Sequence, residues 1–324
     1  MKAMKKLSEF LPVGLLVGAT LVGAFMFLQT IANPHSSVVD AAGATQTVSS
    51  TVTVGNTAPT VTSVILNGAA SIVLTANATT AVNVSALVGD TNGCGDISGG
   101  TTTILVYRAT ITSSTCDSTN DNRNCYELSA FTATSSCSSN QVNTTSTFGI
   151  YYFANATDAS STNSSTNWQA TVKFTDANGA TSTADATAQE LLTLTALNVT
   201  TSSLAYGSVA AGADTGATNQ VATTTNAGNA TTGLRLSANS TLTSGANTIA
   251  TSSQEYATST FTWNSGATST DLTGSPVTVT GFSLTIPTST NFVQSPSFWG
   301  LGVPGGTPTG TYTGQNLFTS LFVP

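Results

Sequence analysis

Residues 168–180 read Trp168-Gln169-Ala170-Thr171-Val172-Lys173-Phe174-Thr175-Asp176-Ala177-Asn178-Gly179-Ala180. Trp168, Ala170, Val172 and Phe174 alternate with Gln169, Thr171, Lys173 and Thr175, the period of two expected of a half-buried β-strand. Asp-Ala-Asn-Gly comes directly after, and an Asn-Gly pair is a strong hairpin signal because tight two-residue turns need positive φ. Together they predict an antiparallel sheet. Similar runs lie outward at Val61 to Leu66, Ser71 to Leu74, Val82 to Val88, Ile104 to Arg108 and Phe148 to Ala154, and Asp90-Thr91-Asn92-Gly93 predicts a second reversal. No stretch beyond residue 45 keeps a helical period of useful length. The expectation is an all-β domain over residues 57–188.

Two short strands at its start, a Trp-bearing strand near its end and a final hairpin are the layout of an immunoglobulin-type β-sandwich. Asn56-Thr57-Ala58-Pro59-Thr60-Val61, taken with Trp168 to Ala180, resembles the opening and closing strands of cadherin-like and PKD-like domains of bacterial and archaeal surface proteins. The likeness covers those two ends and implies a sandwich in an extracellular setting. A second domain is expected over 189–324. Ser203-Leu204-Ala205-Tyr206-Gly207-Ser208-Val209-Ala210-Ala211-Gly212, and then Thr223-Thr224-Thr225-Asn226-Ala227-Gly228-Asn229, resembles the leading strands of abnormal-spindle/Hydin (ASH) immunoglobulin-like domains. The physical reading is the same, with Gly207, Gly212 and Gly228 as turns and Leu234-Arg235-Leu236 resuming the alternation. Val277 and Val279 share one phase, Phe282, Leu284 and Ile286 the other, so a β-bulge is expected at Gly281. Gln315 to Val323, after a Gly-rich turn, reads as the closing strand pair.

Ahead of these domains, Lys2, Lys5 and Lys6 precede an apolar run from Phe10 to about Ile31, and small residues come next at Ala41-Ala42-Gly43-Ala44. Basic flank, apolar core and small-residue exit are the order of a signal peptide, with cleavage near Thr45. The run is long enough that an uncleaved membrane anchor is the alternative reading of 1–44. Residues 45–56 read as a short linker, and everything beyond as extracellular or cell-surface. Four cysteines, Cys94, Cys116, Cys125 and Cys137, fit an oxidising compartment. Of three pairings, the nested one is preferred, Cys116–Cys125 inside Cys94–Cys137, because the polar loop from Asp117 to Asn124 needs a staple. A zinc site is disfavoured, since there is no C-x-x-C pair and the sole histidine is His35.

Composition narrows function by exclusion. Charged residues are 6% of the 324-residue chain and the formal charge is −7, so no basic stripe exists for nucleic acid. The 40% hydrophobic content argues against disorder. With no histidine beyond residue 35, a Ser-His-Asp triad is excluded, and Glu127, Glu190 and Glu255 sit in no recognisable catalytic spacing. No cofactor is expected, with calcium the one ion to weigh. Asp90, Asn92 and Asp96 alternate in a Gly-containing loop, and Asp117, Asn120, Asp121 and Asn122 form a second oxygen-rich loop; both are hard-donor sets. Trp168, Trp263 and Trp299 are candidates for stacking on carbohydrate, but Trp168 alternates with core residues, and for Trp299, which has no clear phase, a core or domain-interface role is the preferred reading over an exposed one. Eight N-x-S/T triplets, at Asn77, Asn83, Asn143, Asn155, Asn163, Asn198, Asn229 and Asn239, are candidate glycosylation sites. The resulting expectation is a non-catalytic surface protein, structural or adhesive, partnered by itself or by other surface proteins or glycans. The alternative is a glycan-binding module, stiffened by calcium.

Overall fold

The alternation of the first half is realised as eight antiparallel strands: β1 Thr60–Leu66, β2 Thr79–Gly89, β3 Thr101–Arg108, β4 Cys125–Leu128, β5 Thr132–Ala133, β6 Gln141–Tyr151, β7 Trp168–Thr175 and β8 Thr181–Asp185. The computed structural model describes residues 47–112, 114–116, 121–129, 131–264 and 268–324. The signal or anchor segment and the loop residues Asp117 and Asn120 lie outside the described residues. Met1–Thr53 and Val54–Pro324 form separate units; of the former, residues 47–53 are described and are exposed, without helix or strand.

One sheet of the first sandwich has the order β1-β2-β6-β5 and the other β4-β3-β7-β8. In immunoglobulin lettering these are A-B-E-D and C′-C-F-G, so the strand order itself defines an immunoglobulin-like sandwich. Inward residues of the two sheets, among them Val82, Val84, Ile104, Val106, Ile150, Trp168 and Val172, form one core. The Asp176–Gly179 hairpin joins β7 to β8 as expected, with Gly179 at φ 91°. Asp90–Gly93 does not make a hairpin. After β2 the chain must cross to the opposite sheet, and it does so through a five-residue helix, α1 Cys94–Ser98. Ser71 to Leu74 also forms no strand; Ile72 makes a single parallel bridge to Leu191.

That bridge places the end of the first core later than residue 188. Trp168 and Gln189 exchange backbone hydrogen bonds of 2.8 Å, and Leu191 is fully enclosed in the first core with Leu194 packed on it. Residues 189–194 therefore belong physically with the first sandwich. Leu194 to Ala196 then pass against the turn Asn226 to Asn229. Asn229 is buried, its Nδ2 donating to Ala154 O (3.0 Å) and Leu192 O (3.2 Å) while Oδ1 accepts Leu194 N–H (2.6 Å). A side chain at Gly228 would collide with the Leu194 carbonyl, so this crossing needs glycine.

The second half contributes β9 Leu197–Val199, β10 Gln220–Asn226, β11 Thr232–Ala238, β12 Leu242–Ser244, β13 Asn247–Ile249, β14 Gln254–Ala257, β15 Thr270–Asp271, β16 Val277–Thr278, β17 Gln294–Leu301 and β18 Asn316–Phe322. Its sheets run β15-β14-β17-β10-β9 and β16-β11-β18, with β12-β13 a separate hairpin. A second core is built on Leu234, Leu236, Tyr256, Leu272, Phe282, Leu284 and Trp299. Two expectations are corrected here. The phase change near Gly281 is a turn, not a ladder bulge: Phe282 N–H donates to Val279 O (3.2 Å) and Gly281 takes φ 77°, which buries Val279 and Phe282 together. The chain closes on one strand, β18, rather than a pair.

Candidate functional site

Two features stand apart from the ordinary core. The first is acidic. Asp90, at the end of β2, Asp96, in α1, and Asp176, in the β7–β8 hairpin, each present an oxygen within 4.8 Å of the others. All three residues are at least nine-tenths buried. Asp90 Oδ1 accepts Asn92 N–H (2.7 Å), and Asp176 Oδ1 accepts Asn178 N–H (2.9 Å) and Ala180 N–H (2.8 Å). Asn178 Nδ2 donates to Asp96 Oδ1 (2.7 Å), and Asn56 Nδ2 donates to Asp176 Oδ2 (3.0 Å). Burial alone would raise the Asp176 pKa, but the bonds from Asn56, Ala180, Asn178 and Gly179 outweigh it and hold the carboxyl below its usual range. Oδ2 of Asp90 and Oδ2 of Asp96 have no hydrogen-bond partner among the described residues.

Of the trio expected from the sequence, Asp90 and Asp96 come together and Asn92 does not. Asn92 is exposed and turned to the incoming chain, accepting Thr57 N–H (2.7 Å) and donating to Gly55 O (3.2 Å); Asp176 takes the third place. In the other oxygen-rich loop, Asp121 is engaged by Asn124 Nδ2 at 2.8 and 3.0 Å, and Asn122 O accepts the Tyr126 hydroxyl. Disulfides join Cys94 to Cys137 and Cys116 to Cys125, one loop inside the other. Trp168 and Trp299 are fully buried. The Trp299 ring lies between Tyr256 and Phe318, and its Nε1 donates to Ser297 Oγ (3.0 Å). Trp263 is half-buried over Gly302. Among the N-x-S/T triplets Asn229 is no acceptor, its side chain being buried in the crossing described above.

The second feature is a groove of about 1120 Å³ in the second sandwich, lined by Val199, Ser202 to Ala211, Leu242, Ile249, Leu317 and Phe318 among others, with no charged residue on its wall. The strand order explains it. With β9, β10, β17 and β14 in the places of A, B, E and D, and β16, β11 and β18 in those of C′, C and F, no strand among the described residues occupies the G position. In the first sandwich β8 fills that position beside β7. Here β18 is an edge strand; Leu317 is 48% exposed and every other residue from Asn316 to Phe322 is half-buried. Ser202 to Val209 also lines the groove, and among the described residues its backbone makes no backbone hydrogen bond. Long, uncharged, unpaired edges are uncommon, because they invite another strand.

Burial also sets an alkaline limit. The Tyr126 hydroxyl, bonded to Asn122 O (2.5 Å) and Tyr151 N–H (3.0 Å), and that of Tyr206 at the groove, bonded to Gln254 Oε1 (3.1 Å), both have raised pKa values, mainly through desolvation. A folded pKa above the unfolded value of about 10 gives stability that is complete below pH 10 and is lost as pH rises beyond it. Absorbance titration at 295 nm is expected to find these two tyrosines silent until the protein unfolds, and Tyr126→Phe should lower stability at neutral pH, through loss of the bonds to Asn122 O and Tyr151 N–H, while making its fall above pH 10 shallower.

No family model and no curated protein matches the chain. Among solved structures, the CsuC-CsuE chaperone-tip adhesion subunit pre-assembly complex from archaic chaperone-usher Csu pili of Acinetobacter baumannii aligns with 10% identity, covering 78% of this chain and 97% of that one, at a TM-score of 0.31. A likeness that slight carries no argument; the fold assignment rests on the strand order.

Proposed function

We propose that this chain is a non-catalytic, exported surface subunit that assembles with copies of itself by strand addition. The observation that carries the reading is the vacant strand position beside β18, where two unpaired edges face one uncharged groove. Added strands gain affinity from main-chain hydrogen bonds and specificity from side chains set into pockets. Residues Thr47-Val48-Ser49-Ser50-Thr51-Val52-Thr53-Val54 suit the role: they are uncharged, alternate toward their end, and expose Val48, Val52 and Val54 at 80–89%. In this reading that segment of one copy fills the groove of the next, which generates a head-to-tail filament because the contact is heterologous. Two disulfides and the small charge content support an oxidising, extracellular setting. The sole histidine, His35, lies ahead of both sandwiches, consistent with absence of turnover. The glycan alternative gains no support from Trp168 or Trp299, whose rings are enclosed.

Sedimentation velocity over a concentration series is the test. The full chain is expected to form species larger than the monomer, and Val52→Lys/Val54→Lys to lower the association constant by at least about tenfold, since each charge must be desolvated on entering a groove that offers no opposite charge. A full chain that stays monomeric, or a double variant that assembles like the parent, removes this reading.

A further inference from the structure

We infer that Asp90, Asp96 and Asp176 together bind one hard divalent cation, calcium by the chemistry of the donors, whether or not copies of the chain assemble. Three buried carboxylates with oxygens within 4.8 Å of one another repel strongly. Two of their oxygens, Oδ2 of Asp90 and of Asp96, lie buried without a donor among the described residues, and an unsolvated, unbonded carboxylate oxygen is costly. A cation held by the three carboxylates turns the repulsion into attraction, and the two unbonded oxygens are the ones left free to ligate it. An all-oxygen set favours calcium or magnesium over the softer metals that seek thiolate or imidazole. The one cysteine close in sequence, Cys94, is tied to Cys137. Calcium is the better match because it accepts irregular oxygen shells, whereas magnesium demands a near-ideal octahedron.

The position of the cluster gives the ion a task. Asp90 and Asp96 belong to the connection from β2 to β3, and Asp176 to the hairpin from β7 to β8. Asn56, Thr57 and Gly55, the residues through which the chain enters this unit, are bonded to Asp176 and Asn92. One ion therefore joins two loops at one end of the sandwich and fixes the carboxylate to which the entering segment is tied.

The experiment uses the full chain in calcium chloride, magnesium chloride or EDTA. Calorimetric Tm is expected to be about 5–10 °C higher with calcium at about a hundredfold above Kd than in EDTA, and magnesium to give a smaller rise. Titration calorimetry should return one calcium per chain. Asp96→Asn keeps the oxygen that accepts from Asn178 but removes a charge. It is expected to weaken calcium by at least about tenfold while leaving the Tm in EDTA equal to or above that of the parent, because one repelling charge is gone. Asp176→Asn, expected to weaken calcium likewise, is the second variant; it keeps an oxygen for the turn bonds from Asn178 and Ala180 but loses the acceptor for Asn56, and if that prevents folding, Asp96→Asn decides alone. No Tm shift and no binding heat with either cation, or calcium binding by Asp96→Asn equal to that of the parent, overturns the inference.

Discussion

Replacing Trp168 by alanine is expected to lower the unfolding free energy by about 3–5 kcal/mol, the largest single-residue effect in the first sandwich. The ring is fully buried at the start of β7. It stands 5.9 Å from the Tyr126 ring, and its Nε1 donates to Asn155 O (2.9 Å). Alanine removes the packing, opens a cavity between the two sheets and leaves the Asn155 carbonyl with a lost donor. Trp168→Phe should cost less, since it keeps most of the apolar volume and forfeits the hydrogen bond. Urea unfolding monitored by far-UV circular dichroism measures both. A loss below about 1 kcal/mol for the alanine variant would mean that the two sheets do not close on this ring.

Removal of the outer disulfide is the second large effect. Cys94–Cys137 closes a sequence separation of 43 and Cys116–Cys125 one of 9, so loop-closure entropy assigns them about 4 and about 3 kcal/mol respectively. The outer bridge also acts locally. It fastens the start of α1, two residues before Asp96, to the turn that leads into β6. Paired Cys→Ala variants under non-reducing conditions should therefore rank with the Cys94/Cys137 pair the more destabilised, and peptide mapping of the parent should find those two linkages and no free thiol. Equal stability of parent and Cys94→Ala/Cys137→Ala would contradict this role for the bridge.

How much of the fold is legible in the sequence depends on whether the information is local. Trp168 to Gly179 specifies a strand and its turn through neighbours one to four residues apart, and the same holds for Leu234-Arg235-Leu236. Asp90-Thr91-Asn92-Gly93 has the same local turn chemistry, its Asp90 Oδ1 accepting Asn92 N–H as Asp176 Oδ1 accepts Asn178 N–H. The two turns nevertheless lead to different places, because the strand after Gly93 lies in the opposite sheet, a fact no tetrapeptide contains. The acidic trio shows the same limit. Asp90 and Asp96 are close in sequence, whereas Asp176 arrives from the far hairpin. The one signal available was that Asp-x-Asn-Gly occurs at both places. The boundary at 188 fell short because alternation stops at Asp185, while Leu191 is held by Ile72, more than a hundred residues upstream. The groove was least legible of all. Leu317, Phe318, Leu321 and Phe322 look like core residues in sequence, yet each is partly exposed on a strand that pairs only with β11 among the described strands.

The measurement that bears most directly on assembly by strand addition is a photo-cross-link from that edge. A benzophenone amino acid in place of Leu317, which is exposed on β18 at the groove, is irradiated in assembled full-length protein, and the joined peptides are identified by mass spectrometry using mixed isotope-labelled and unlabelled copies. Strand addition predicts cross-links between copies, falling within residues 47–54 of the second copy and lost in Val52→Lys/Val54→Lys. Cross-links confined to a single copy, or intermolecular ones that fall outside residues 47–54, would contradict it.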